Sequence, residues 1–266
     1  MDVYRPITRR AALKDMGKAG LAVIVFGTSC TGEQGAQPTS TGSSSTTTVG
    51  ETTSTAGATT SSSARGGETE WARVEMAIVS AYILYRGGEA ALVDTGQSGS
   101  APAIEAALSG IGLGWDAVGH VILTHRHPDH VGSAEAVAEV APNAAIYIGE
   151  GDADAIGDLG GGARQLATEE DNIFDLQVIE TPGHTVGHIS VLDEAAAILV
   201  VGDAMNRVNG ALSGSNPSFT ADAAAADDSV RKLAGFEFEV VLFGHSDPIL
   251  SGGSVEVRNL AAALGS

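Results

Sequence analysis

Beyond about residue 70 the chain alternates short apolar runs with stretches whose apolar positions recur every three to four residues. Runs of the first kind read as strands and stretches of the second kind as helices. Val79 to Leu84 and Ala90 to Val93 flank Arg86-Gly87-Gly88-Glu89, which predicts a hairpin. Asp94-Thr95-Gly96 ends the second of these strands. Ser100 or a near neighbour is expected to cap a helix with Pro102 in its first turn and Ile104 and Leu108 spaced i, i+4. A buried strand over His120 to Leu123, a helix from about Ser133 to Val140 and a strand over Ala145 to Ile148 follow. The segment Asp152 to Arg164 is acidic and glycine-rich and carries no clear period. Further strands are expected at Gln177 to Glu180, Ile189 to Leu192, Ile198 to Val201 and Val240 to Phe243, with a turn at Asp193-Glu194. Helices are expected near Ala221 to Leu233 and Val255 to Leu264. This order predicts a mixed α/β domain whose sheets are covered by helices, with its chemistry at the strand ends.

The first 70 residues follow a different pattern. Residues 1–29 carry Arg5, Arg9, Arg10, Lys14 and Lys18 against Asp2 and Asp15, and their apolar run spans Leu21 to Phe26. That run is far shorter than the ~20 residues a membrane-spanning helix needs, so it reads as the core of a signal peptide. Thr8-Arg9-Arg10-Ala11-Ala12-Leu13-Lys14 resembles a twin-arginine export signal, with Ala12 in place of the usual Phe. Cys30 stands where a bacterial lipoprotein is cleaved and lipidated, with Gly27 where a branched aliphatic residue is expected. Residues 31–67 hold 11 Thr, 8 Ser and 7 Gly, with Val49 as the one branched apolar side chain. Such a segment buries too little surface to offset its ordering entropy. As a flexible coil it would span about 30–35 Å, a reach that suits a tether. The expected organisation is a signal segment over 1–30, a disordered linker over 31–70 and a catalytic domain over 71–266, exported to the cell envelope or secreted.

Composition narrows the chemistry. With 266 residues and 43% apolar content the chain can build a real core. Its 14 Lys+Arg against 33 Asp+Glu give a formal charge of -19, which repels phosphate backbones and anionic lipid head groups. No nucleic-acid partner is expected, and membrane contact is expected only through the lipid anchor. One cysteine excludes an internal disulfide and a thiol-rich zinc module. Any metal must therefore be held by histidines and carboxylates.

Three of the seven histidines fall in His125-Arg126-His127-Pro128-Asp129-His130, directly after the apolar run Val121-Ile122-Leu123. In a loop leaving a strand, His125 and His127 can converge on one cation while Asp129 and His130 turn toward a second. Neutral imidazole and carboxylate suit Zn²⁺, and also Fe or Mn. Further candidates sit just past apolar runs: His184 in Thr181-Pro182-Gly183-His184, Asp203 in Val200-Val201-Gly202-Asp203, and His245 in Leu242-Phe243-Gly244-His245. Together with Val93-Asp94-Thr95-Gly96, these motifs resemble the metallo-β-lactamase fold superfamily over essentially all of residues 71–266. The resemblance implies a four-layer αββα sandwich with two divalent metal ions, zinc foremost, at one edge of the sheets. It puts His125, His127 and His184 on the first metal, Asp129, His130 and His245 on the second, and Asp203 between them. Asp203 stands where one class of β-lactamases places a cysteine ligand and where glyoxalase II and lactonase members use aspartate.

The activity so implied is a binuclear metal-dependent hydrolase. A metal-bridging hydroxide, oriented by Asp129, would cleave an ester, thioester, lactone or amide of a small molecule. A β-lactamase, a mononuclear iron enzyme like the persulfide dioxygenases, and a non-catalytic metal-binding lipoprotein are the alternatives. No Lys lies between Lys18 and Lys232 to hold a β-lactam carboxylate, and no Tyr follows Tyr147 to match the tyrosine of many lactonases. About 20 residues follow His245, too few for the helical glutathione-binding domain of glyoxalase II. Asp94 is expected to accept an N–H from a ligating imidazole. Arg207, four residues past Asp203, is the candidate for holding an anionic substrate group. Arg126 should point away from the metals. His120 is expected as a hydrogen-bonded core residue, and His188 as a brace of its loop or a neighbour of the ligands. Glu169-Glu170-Asp171 and Asp227-Asp228 read as solvated faces, and Gly160-Gly161-Gly162 as a flexible segment.

Overall fold

The computed structural model describes residues 67–157 and 164–264. The expected signal segment, Cys30, the linker to residue 66 and Gly160-Gly161-Gly162 lie outside the described residues.

Six strands form the first sheet in chain order: β1 (Glu70–Glu75), β2 (Ser80–Arg86), β3 (Glu89–Val93), β4 (Val118–Leu123), β5 (Ala145–Gly149) and β6 (Arg164–Ala167). β1 to β3 pair antiparallel and β3 to β6 parallel. The parallel crossovers carry α1 (Ala101–Gly110), then α2 (Pro128–Val131) and α3 (Ala134–Val140). The second sheet contains β7 (Asn172–Ile173), β8 (Leu176–Glu180), β9 (Ile189–Asp193) and β10 (Ile198–Gly202). A ribbon of β11 (Met205–Val208) and β12 (Ala211–Gly214), then α4 (Ala223–Leu233), β13 (Val240–Phe243) and α5 (Gly253–Ala263) complete the chain order. In the second sheet the strands lie in the order β13, β10, β9, β8, β7, and β13 runs parallel to β10.

Three apolar layers hold these elements together. On β2, Ala81 and Ile83 pack with Ile104 and Leu108 of α1 and Val137 of α3, while Tyr82 and Leu84 face the second sheet. On β10, Ile198 and Val200 face the first sheet, and Leu199 and Val201 pack with Val230 and Leu233 of α4 and Val257 of α5. Central strands are thus buried on both faces, which is why they read as unbroken apolar runs rather than alternating ones. The architecture is a four-layer αββα sandwich. Among the described residues no helix is long and apolar enough to cross a membrane.

Several local expectations are corrected. Asp129 and His130 lie in α2 rather than in a loop, because Pro128 opens a helical turn there. Ser100 makes no side-chain cap on α1; its backbone N–H donates to Ser133 Oγ at 2.8 Å, tying the start of α1 to the start of α3. Glu169, in the stretch expected as a solvated face, stays a third exposed but also accepts from Lys232 Nζ at 2.6 Å and from the Glu180 backbone N–H at 2.8 Å.

Because β3 runs parallel to β4, and β10 to β13, the C-terminal ends of each pair share one edge. The two sheets are fastened there by Ile189 N–H to Thr124 O and Ser80 N–H to Gly244 O, both 2.8 Å. Tyr82 Oη also donates to Phe243 O at 2.8 Å. At this seam Gly202 has φ +50, and a Cβ on it would lie 2.8 Å from the Thr124 side chain. Only glycine takes that backbone against so close a neighbour without strain.

Candidate metal centre

The seam collects the polar residues that follow the strands. Asp94 follows β3, Thr124 to His130 follow β4, His184 lies between β8 and β9, Asp203 follows β10 and His245 follows β13. His125 Nε2 and His184 Nε2 lie 3.1 and 2.9 Å from His127 Nδ1. A second group sets His245 Nε2 3.3 Å from His130 Nε2 and 3.3 Å from Asp129 Oδ2. Asp203 stands between the groups, Oδ2 at 3.4 Å from His184 Nε2 and 3.2 Å from His245 Nε2, Oδ1 at 3.4 Å from His130 Nε2. The structure therefore brings together the seven residues singled out in the sequence, in the groups His125-His127-His184, His125-His130-Asp203 and Asp129-His130-His245.

The far nitrogen of four imidazoles is fixed by an oxygen, and this sets which nitrogen faces the centre. Thr124 Oγ1 donates to Asp94 at 2.8 Å, so it accepts from His125 Nδ1–H at 3.1 Å. His130 Nδ1–H donates to Asp94 Oδ2 at 2.8 Å, and His245 Nδ1–H donates to Ile78 O. His184 Nδ1–H donates to Ser215 Oγ at 3.0 Å, Ser215 to Thr220 Oγ1 at 2.7 Å, and Thr220 to Asn216 O at 2.7 Å. Each of these rings turns its Nε2 toward the cluster, so that in the neutral form its lone pair would face a cation, the arrangement expected of metal-ligating histidines held from behind. Asp94 takes the role expected of it, from a backbone φ of 62 that aspartate tolerates better than most residues.

Electrostatics divide the site. Burial holds His125 well below its ordinary pKa, lowers His127 and brings His184 to about 4. These three are neutral, the form that ligates. Hydrogen bonding to Asp203 raises His245 to about 9, against the opposing effect of burial. Burial alone would raise Asp203, but His245, His130 and His184 outweigh it and bring the carboxyl to about 2. His130 is raised because Asp94 and Asp203 overcome its burial. Asp203 Oδ1 is buried and, among the described residues, accepts no hydrogen bond. A Cβ on Gly244 would collide with that oxygen and approach His130 Cε1 to 2.7 Å, so the glycine keeps the cradle open. A buried carboxylate oxygen with no hydrogen-bond donor, beside inward-facing imidazole nitrogens, fits divalent cations.

His188, expected to brace its loop or to neighbour the ligands, does both. His188 Nε2 accepts from the Asp203 backbone N–H at 3.1 Å, so its proton is on Nδ1, which donates to Thr181 Oγ1 at 2.8 Å. Replacing His188 with leucine would leave the Asp203 amide and Thr181 without that partner. The expected outcome is about 10–100-fold weaker metal binding, read by chelator competition alongside an unchanged far-UV spectrum. His120 packs between Tyr147 and Phe174, each ring 5.9 Å away. Arg126 is directed from the centre toward Asp152. Arg207 lines a cavity of about 390 Å³ beside the centre, together with Arg73, and donates to Gly210 O at 2.8 Å.

A sequence profile described as the metallo-beta-lactamase superfamily matches residues 76–245. The uncharacterized protein YobT of Bacillus subtilis is 34% identical over 146 residues, which cover 47% of this chain and 61% of YobT. A hydroxyacylglutathione hydrolase of Rhodospirillum rubrum is 32% identical over 163 residues, covering 59% of this chain and 57% of that protein. The chain spans less than two thirds of the length of these curated relatives. A crystal structure of a metallo-beta-lactamase family protein from Thermus thermophilus gives a TM-score of 0.55 at 24% identity, covering 72% of this chain and 76% of that one. At that identity the likeness speaks for the fold alone.

Proposed function

Because the chain belongs to the metallo-beta-lactamase superfamily, we propose that it is a metal-dependent hydrolase of small acyl compounds, thioesters and esters foremost. The observation that carries this reading is the convergence of five imidazoles with Asp129 and Asp203, four of the rings anchored from behind. Two divalent cations, held by His125, His127 and His184 and by Asp129, His130 and His245 with Asp203 between them, would supply a water that ionises near neutral pH and a Lewis acid for the scissile carbonyl.

The remaining chemistry belongs to the chain. Asp129 and Asp203 are the carboxylates lining a cavity of about 450 Å³ over the cluster. Asp203 is buried among imidazoles, whereas Asp129 is a quarter exposed, so besides its place in the second cluster it would reach the cavity to orient the attacking water. Ile78 and Phe219, 57% and 66% exposed, form apolar walls, and Asn206 and Asn216 bring amide groups for a carbonyl or leaving group. Among the described residues no Lys or Arg lines this cavity, which favours an uncharged acyl part. Arg207, in the adjoining cavity that shares Ile78 and His245, would meet an anionic group on the more distant part of the substrate. A relative named hydroxyacylglutathione hydrolase, an enzyme acting on a thioester, supports that bond type. On the strength of Arg9-Arg10, the apolar run and Cys30, the same reading has the protein exported and lipid-anchored.

The test is elemental analysis of protein purified without chelator, followed by thioester, aryl ester, lactone and β-lactam panels. About two zinc ions per chain, with thioester or ester turnover that chelation abolishes, is the expected result. One iron and no zinc would favour an oxygenase of the same fold. Bound metal without turnover of any panel member would favour a binding protein.

A further inference from the structure

We propose that Asp152 is a positioning residue that clamps the two histidine-bearing segments of the first cluster to each other. The inference rests on the metal-site reading above, and concerns a residue that belongs to none of the ligand groups. Asp152 sits in the 3-10 turn Glu150–Ala155, directly after β5, with its side chain buried. Its Oδ2 accepts from the Arg126 backbone N–H at 3.0 Å and from Thr185 Oγ1. Its Oδ1 accepts from Gly187 N–H at 3.1 Å and from Arg126 Nη1 at 3.3 Å. Each oxygen therefore takes one donor from the segment after β4 and one from the segment between β8 and β9. Arg126 is flanked by His125 and His127, and Thr185 follows His184. All three histidines of the first cluster are thus one residue away from a group that Asp152 holds.

Glycines make the approach possible. A Cβ on Gly187 would collide with Asp152 N, a Cβ on Gly149 would collide with Gly187 O, and a Cβ on Gly151 would come within 2.9 Å of Gly187 N. Two backbone segments can lie this close only where side chains are missing. A carboxylate suits the junction because two of its four donors are backbone amides that burial would otherwise leave unpaired. The other cluster is anchored elsewhere: His130 by Asp94 and His245 by Ile78 O. The clamp therefore acts on one site of the two, whereas a carboxylate that merely stabilised the fold would affect both alike.

The test uses the full chain, stripped with a chelator and titrated with Zn²⁺ against a chromophoric competitor. Asp152→Ala is expected to weaken one of the two sites about 10–100-fold, the range for groups that hold ligands from behind, and to change the other less than about threefold. In a His245→Ala background, where the first cluster is intact, the same loss should persist. In a His127→Ala background, where that cluster is already broken, Asp152→Ala should add nothing. Thr185→Val removes one donor and leaves the carboxylate in place, so it is expected to fold normally and weaken the same site by a smaller factor. If Asp152→Ala fails to fold, Thr185→Val decides alone. Equal weakening of both sites, or unchanged zinc binding in Thr185→Val and Asp152→Ala, would overturn the proposal. Wild-type protein that binds no zinc would overturn the metal reading beneath it.

Discussion

Asp203→Ala is expected to strip metal from both clusters at once, whereas His127→Ala strips chiefly the first. Asp203 is the residue whose oxygens approach ligands of both groups, at 3.2 to 3.4 Å from His130, His184 and His245. A site worth about 10–16 kcal/mol and shared by about four ligands loses roughly 3 kcal/mol per ligand, or about two orders of magnitude in affinity. For Asp203 that loss falls on each of two sites, and turnover should drop below detection in buffers that keep wild-type protein loaded. The fold should persist, because neither residue belongs to the three apolar layers. The check is zinc per chain after dialysis, read beside circular dichroism and thioester or ester turnover. Wild-type stoichiometry in both variants would rule out the ligand assignment.

Strand ends announce themselves in this sequence, and the ligands with them. Val121-Ile122-Leu123, Val200-Val201 and Leu242-Phe243 are buried on both faces, so each is an apolar run that stops abruptly where the chain reaches the seam and turns polar. His125, Asp203 and His245 are the residues found at those stops. What escapes a linear reading is whatever depends on pairing. β1 reads Glu-Trp-Ala-Arg-Val-Glu, charged at both ends as suits an edge strand, and shows no unbroken run. β7 has two residues, and the ribbon of β11 and β12 buries little beyond Met205 and Asn206. Asp152 lies in a stretch with no period, and its partners are 26 to 35 residues away in sequence. Ser215 and Thr220, which hold His184 from behind, carry no motif of their own; only their approach to Nδ1 reveals them.

Without metal, the protein is expected to be most stable near pH 6.5 and to weaken on both sides of it. His188 has a folded pKa of about 3 against an ordinary 6.5, because burial opposes its charge. The unfolded chain therefore holds a proton that the folded one refuses, and stability is lost as pH falls from about 6.5 toward 3, by roughly 4–5 kcal/mol for this residue alone. His184, at about 4, and His125 act in the same direction. Asp203, lowered to about 2, adds stability above its ordinary 3.8 that disappears as pH falls through 2. The alkaline side has the opposite sign. His245, raised to about 9 by Asp203, contributes stability that is fully present below 6.5 and lost as pH rises through 9. Zinc bound at His245 Nε2 would take the place of that proton, so the loaded protein should lack the alkaline loss. Zinc affinity should correspondingly tighten by at least about tenfold per pH unit as pH rises toward 9, and lose that dependence on His245 above it. Denaturant midpoints of chelated and zinc-loaded protein from pH 4 to 10, with zinc competition at each pH, would read both effects. A pH-independent affinity over that range would mean that His245 is already unprotonated in the empty site, and that the Asp203–His245 pair does not hold the charge a cation replaces.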